Sequence, residues 1–394
     1  MVGMKNRFIF ALLWVFVAFV SRAEERLWVD ATINGQQAHL IFDTGADRLI
    51  LFRKGAERLG LQITEPQPDL APPPGAVTLA ATELCEVTFL DNSIITSLGV
   101  LEMPSYLDMQ ADGVLGWGMF SKSVVRIDSI SSKVELLEDA PEQLDNWTKL
   151  KLRTNSGYLS FEVPHANARP GLVLVDTGFA GGVAVPPATW QAWNTIHPEA
   201  PTTLDSYFMP GAGLVVKEET WAGAIGFGPL LLTEVPMMEA NQAQLALGSV
   251  GYEASLGLAA LRRLELIIDG TRDVAYVRLK STPPPPYQHN RLGAVFVPAN
   301  PHNDDLVARV AKRSPAHDAG ICNGDVLVKI GKLDATKWRS DPAIMPLSQF
   351  WTQPPETKLA LTLKRDSQTY TTIVMLRQIL APGLSSSLNP DRRS

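Results

Sequence analysis

The feature that most constrains this 394-residue chain is an internal repeat. An apolar strand runs into Asp43-Thr44-Gly45, and a second, Leu172-Val173-Leu174-Val175, runs into Asp176-Thr177-Gly178. Each triplet is followed by another apolar stretch, Leu49 to Phe52 and Val183 to Val185, and Gly113-Val114-Leu115-Gly116 is echoed by Ser255-Leu256-Gly257. From Gly116 to the aspartate of Ile127-Asp128, and from Gly257 to that of Ile268-Asp269, the offset is 12 residues both times. One Asp-Thr-Gly arises by chance in roughly one chain in ten of this length, so a single copy decides little. Two copies with matched spacing imply a duplicated unit.

The surrounding pattern says what kind of unit. Short stretches rich in Val, Ile, Leu and Phe, punctuated by Gly, Pro and Asn, dominate from Leu27 to about Leu279, which predicts mostly β structure. Leu27 to Ile33, the turn signal Asn34-Gly35 and Ala38 to Phe42 read as a hairpin. Helical patches are brief, at Lys54 to Leu59 and Pro187 to Trp193. Four successive prolines, Pro283 to Pro286, cannot sit inside a sheet and read as a stiff linker. The expected division is a leader at 1–23, a first β lobe at 24–148, a second at 149–280, the linker at 281–287, a small α+β domain at 288–380 and a disordered tail at 381–394.

The leader has its own grammar. Lys5 and Arg7 precede an apolar run from Phe8 to Val20, followed by Ser21-Arg22-Ala23 and then Glu24-Glu25, as in a signal peptide cleaved after Ala23. The run is shorter than the about 20 residues of a spanning helix. The expectation is therefore an exported protein, in a bacterial periplasm, with no membrane span after cleavage and an inner-membrane anchor only if the leader stays. Loss of residues 1–23 removes Lys5, Arg7 and Arg22 and no acid, taking the formal charge from -6 to -9, which argues against nucleic acid as a partner. Cys85 and Cys322 are far apart and are expected to be two buried free thiols. The six histidines show no ligand spacing, and no Gly-x-Ser-x-Gly, His-Glu-x-x-His or Cys-x-x-Cys occurs, so no metal and no cofactor is expected.

Paired aspartates have a chemistry of their own. Hydrolysis of a peptide by water needs a base for the water and an acid for the carbonyl oxygen and the leaving amine. Two carboxylates a few ångströms apart cannot both ionise easily, so a pair sharing one proton supplies both functions. The bland alternative is two strand-to-turn junctions, with Asp satisfying backbone N–H groups and Gly relaxing the backbone.

On these residues the chain resembles the retropepsin-like aspartic peptidases over nearly all of residues 27–280. The resemblance implies two pseudo-symmetric β-barrel lobes in a bilobed acid-protease fold, polypeptide substrates and direct attack by water. It implies Asp43 and Asp176 as catalytic pair, Thr44 and Thr177 as interlocking hydroxyls, Gly45 and Gly178 as loop glycines, and Gly116 and Gly257 in supporting strands beneath the loops. Ala46 and Phe179 follow the loop glycines where pepsin-like enzymes carry a hydroxyl, so a weakly acidic to neutral optimum is expected. A substrate flap is expected at Tyr207 to Gly213, including Gly211, with a stiffer partner near Ala71 to Ala81. Trp117, Trp190 and Trp193 are candidates for lining subsites, with core packing the preferred role.

After the linker, Ser314-Pro315-Ala316, Ala319-Gly320-Ile321 and Gly324-Asp325-Val326-Leu327 resemble a bacterial protease-associated PDZ domain. Ser314 is expected to cap a short helix ended by Gly320. The resemblance implies capture of C-terminal peptides by the loop Leu292, Gly293, Ala294 and Val295, with the ligand added as an edge strand; the plain alternative is a spacer, or a domain that packs on the lobes without binding peptide. Two rivals stand beside the peptidase reading: a non-catalytic binding or scaffolding protein on a peptidase fold, and an enzyme whose lobes pair between two chains.

Overall fold

The computed structural model describes residues 26–66, 77–90, 92–104, 107, 110–153, 157–165, 169–240, 251–300, 303–341 and 343–383, with the short backbone stretches Phe10–Ala11 and Val17–Ala18. Most of the leader, the expected flap segment at 71–76 and the tail from 384 lie outside the described residues. The fold is mostly β.

Strands Trp28–Ile33 and Gln36–Asp43 form the expected hairpin, with Asn34 and Gly35 both at positive φ (50° and 78°), as a tight two-residue turn requires. Strand 36–43 carries the alternation that fixes its faces: it is exposed at its start and buried throughout its last four residues. The strand Gly113–Gly116 runs parallel to it, then come Leu49–Phe52, Asn92–Leu101 and Ala80–Phe89. Ala31–Ile33 pair back onto Val87–Phe89 and close a six-stranded barrel. Closure removes free sheet edges and leaves a filled interior, here around Phe42, Phe120 and Cys85.

The second half repeats this wiring. In the first half, 113–116 is parallel to 40–43 and antiparallel to 49–51, and 50–52 is parallel to 99–101. In the second, 254–256 is parallel to 173–175 and antiparallel to 183–184, and 183–185 is parallel to 237–239. The two Ile-Asp strands join the halves: Val124–Asp128 pairs antiparallel with Leu264–Asp269, Val125 opposite Ile268. Helices Arg53–Arg58 and Pro187–Ile196 lie at the two expected helical patches, the first shifted by one residue and the second three residues longer. Trp117 and Trp190 are buried in the main core.

Beyond the proline run, strands 294–298, 306–310, 326–330, 358–365 and 368–375 build a separate sheet. Ser314 Oγ accepts from His317 N at 3.2 Å and caps helix Pro315–Asp318, and Gly320 follows it at φ 79°. One sequence expectation fails: Cys85 is buried but Cys322 is exposed. Cys322 opens the turn that leads to Asp325 and shares the exposure of Asn323 and Gly324, while Ile321 before it is buried. Among the described residues no helix is long and apolar enough to cross a membrane.

Candidate active site

Both Asp-Thr-Gly loops sit at strand ends inside the molecule, and one chain brings them together. Asp43 and Asp176 are each 0% exposed. Thr44 N donates to Thr177 Oγ1 (3.0 Å) and Thr177 N to Thr44 Oγ1 (3.1 Å). Thr44 Oγ1 donates to Val175 O, and Thr177 Oγ1 to Phe42 O, both at 2.7 Å. Each hydroxyl therefore accepts from the opposite loop and donates to the strand that delivers the opposite aspartate. These four hydrogen bonds cross the axis and satisfy six buried polar groups with partners from the opposite half.

The glycines owe their place to space rather than to backbone angle. Neither Gly45 nor Gly178 has positive φ. A methyl on Gly45 would lie 2.6 Å from Asp176 Oδ1, and one on Gly178 would lie 2.4 Å from Asp43 Cγ. Each carboxyl thus fills the volume that the opposite glycine leaves open. Gly116 and Gly257 are similar, since a methyl would come within 2.4 Å of Arg48 O or Gly181 O. Their N–H groups donate to Arg48 O (3.1 Å) and Gly182 O (2.7 Å), which ties the supporting strand to the loop above it.

The electrostatics follow from burial. Asp43 Oδ1 accepts from Gly45 N at 2.9 Å, Asp176 Oδ1 accepts from Phe179 N at 3.1 Å, and among the described residues the Oδ2 atom of each has no hydrogen-bond partner. Desolvation pushes the Asp43 carboxyl up, against the pull of the Gly45 N–H bond and the Arg26 charge. Desolvation, joined by the Asp43 charge, raises Asp176 well above the usual carboxylate range. A pair in this state holds a proton where an exposed aspartate would not.

Arg26 is a participant that sequence reasoning missed. Its side chain is buried, and Nη1 donates to Gly178 O at 2.9 Å, reaching from the start of the first half to the loop of the second. No local pattern marks it, because an arginine between a leader and a first strand looks like a solvated charge. It has no twin: the matching point, 17 residues before Asp176, is Leu159, whose N–H donates to Thr44 O at 3.2 Å.

The hairpin Thr202–Met209 and Gly213–Phe227 turns at Gly211 and Gly213, both at positive φ (81° and 77°). Tyr207 and Met209 are buried in a cluster with Phe179 of the Asp176 loop, Tyr158 and Tyr252. The segment Leu292 to Val295 is buried, and Leu292 N and Gly293 N both donate to Asn290 Oδ1 (3.0 and 3.1 Å). Those N–H groups are occupied by the chain itself, so a carboxylate can take them only if the Asn290 amide swings away.

A cavity of about 1390 Å³ lies between helix 53–58, the hairpin tip at Phe208 to Leu214 and Pro298 to Asn300, and neither aspartate lines it. Its arginines are paired, Arg53 with Glu65, Arg58 with Asp112 and Arg339 with Asp304. Among the described residues no three His, Cys, Asp or Glu side chains converge to hold a metal.

No curated protein matches the chain. Residues 29–119, which hold Asp43, Gly116 and almost all of the closed barrel, match the aspartyl protease family, and the match supports a general aspartic peptidase function.

Proposed function

We propose that the protein is an exported aspartic endopeptidase in which Asp43 and Asp176 share one proton and activate one water. The observation that carries the reading is the reciprocal fit of the two loops, each carboxyl seated against the other loop's glycine while the threonines bond across. The ionised member takes a proton from water as its oxygen attacks the scissile carbonyl carbon, and the protonated member gives its proton to the carbonyl oxygen. Collapse of the tetrahedral intermediate breaks the C–N bond, with a carboxyl proton passing to the amine, so peptide and water become acid and amine. No covalent enzyme intermediate is formed.

Extended substrate suits the two strand edges beside the loops. Tyr207 and Phe208 pair with Ala18 and Val17, and Val77 and Thr78 with Ala11 and Phe10, so each edge accepts an added strand. The hairpin at Tyr207, Gly211 and Gly213 is the flap in this reading, and its inner face packs on Phe179. The raised carboxyls and the lack of a hydroxyl at Ala46 and Phe179 put the optimum in the weakly acidic to neutral range. The C-terminal unit is read as a PDZ-like domain, and the leader as a signal for a periplasmic address.

The test is digestion of a peptide library by purified protein across pH 3 to 8, beside Asp43→Asn and Asp176→Asn. Cleavage by the parent and none by either folded variant is expected. Cleavage that survives in one variant, or a folded parent inactive at every pH, overturns the proposal.

A further inference from the structure

The hairpin 202–227 is held between two surfaces. Successive side chains on a strand point to opposite faces. On the inner face, Tyr207, Met209 and Val215 join the cluster over the Asp176 loop. On the outer face, Leu204, Leu214 and Val216 pack with Val295, Val297 and Ala311 of the C-terminal unit. Leu204, Asp205 and Ser206 face Val295 and Phe296 of strand Ala294–Pro298 and Ser348 and Trp351 of helix Ser348–Trp351 across a void of only about 10 Å³, no more than one water needs.

The grip is polar as well as apolar, and two of its polar side chains share one rung of the hairpin. Thr203 and Glu219 are cross-strand partners. Thr203 Oγ1 donates to Asn290 O at 2.6 Å, and Asn290 Nδ2 donates to Leu204 O at 2.9 Å and to Ala294 O at 2.8 Å. From the other strand, Glu219 Oε1 accepts from the Tyr287 hydroxyl. With its Oδ1 on Leu292 N and Gly293 N, the Asn290 amide has both protons and its acceptor engaged. At the margin, Arg313 pairs with Glu199 and donates to Pro198 O at 3.0 Å.

We propose that the C-terminal unit is a clamp on the hairpin. Its groove is a site for an internal strand, the occupant is the chain's own Thr203 to Ser206, and the grip on that strand sets how readily the hairpin lifts from the Asp176 loop. The consequence for substrate access rests on the peptidase reading of that loop; the clamp itself does not.

The test is hydrogen exchange, followed by mass spectrometry, on the full chain in the Asp176→Asn background, which cannot digest itself. Asn290→Ala and Thr203→Val are compared with that parent. Amides in 202–209 and 213–220 are expected to exchange about tenfold faster in Asn290→Ala and a few-fold faster in Thr203→Val, with strands 28–33 and 36–43 unchanged. Unchanged hairpin rates in both variants, or equal acceleration in the first barrel, overturn the clamp. If Asn290→Ala does not fold, Thr203→Val decides alone, because it removes one hydroxyl at nearly constant volume. With both aspartates present, a hairpin that lifts too readily closes less often over bound peptide, so the same substitutions are expected to lower kcat/KM for a short peptide about tenfold without moving its pH limbs. An unaltered kcat/KM beside a loosened hairpin refutes the link to access. The exchange pattern needs no hydrolysis, so an inactive parent leaves the clamp standing, and a failed clamp leaves the dependence on both aspartates intact.

Discussion

Replacing either buried aspartate with asparagine is expected to stabilise the protein, and more so as pH rises. Burial is the main cause that moves the Asp43 carboxyl from 3.8 to about 7, and it raises Asp176 in the same direction. A carboxyl raised on folding adds its full stability only below its unfolded pKa near 4; that contribution is lost as pH climbs through the folded value. For Asp43 the displacement corresponds to on the order of 4 kcal/mol at neutral pH and above. Asn keeps the shape and never ionises. Its carbonyl still accepts the Gly45 N–H bond, 2.9 Å in the parent, and its amide offers Asp176 the donor that a shared proton would supply. Thermal melts at pH 4 and pH 8 are the assay. Asp43→Asn is expected to match the parent at pH 4 and to melt higher by on the order of 10 °C at pH 8. A difference that is flat with pH, or a variant less stable than the parent at pH 8, refutes the reasoning.

Three further outcomes follow from the same geometry. Thr44→Val leaves Val175 O and Thr177 N without their partner and is expected to cost about 2–6 kcal/mol in denaturant unfolding, whereas Thr44→Ser keeps most of it. Gly178→Ala puts a methyl into the Asp43 carboxyl and is expected to lower kcat about a hundredfold or more while the protein remains folded by circular dichroism. Arg26→Gln removes a cation that lowers both carboxyls, so both limbs of the pH-rate profile are expected to move to higher pH.

The parts of this molecule that were legible in its sequence are those set by neighbours along the chain. Strand alternation, the Asn34-Gly35 turn and the Ser314 cap are local, and each formed where its residues predicted. The pairing of Asp43 with Asp176 is not local, yet it was legible because the same signal stands twice in the sequence. What stayed hidden had no second copy. Arg26 acts on a carbonyl 152 residues away and has no twin to betray it. The docking of Leu204 into the C-terminal groove depends on the shapes of two surfaces, and alternation in strand 202–209 says only that it has two faces, not what covers each. The loop glycines were legible as necessary but for the wrong cause, because the space they keep belongs to the other half of the chain.

That shared space bears on how such a chain can change over time. A duplicated unit normally frees one copy to drift. Here each copy shapes the hollow in which its sibling's acid group sits, so drift at either loop is felt at both. A change tolerated in one loop is therefore decided by the residues of the other, and the freedom of either half begins only beyond the reach of its sibling's acid group.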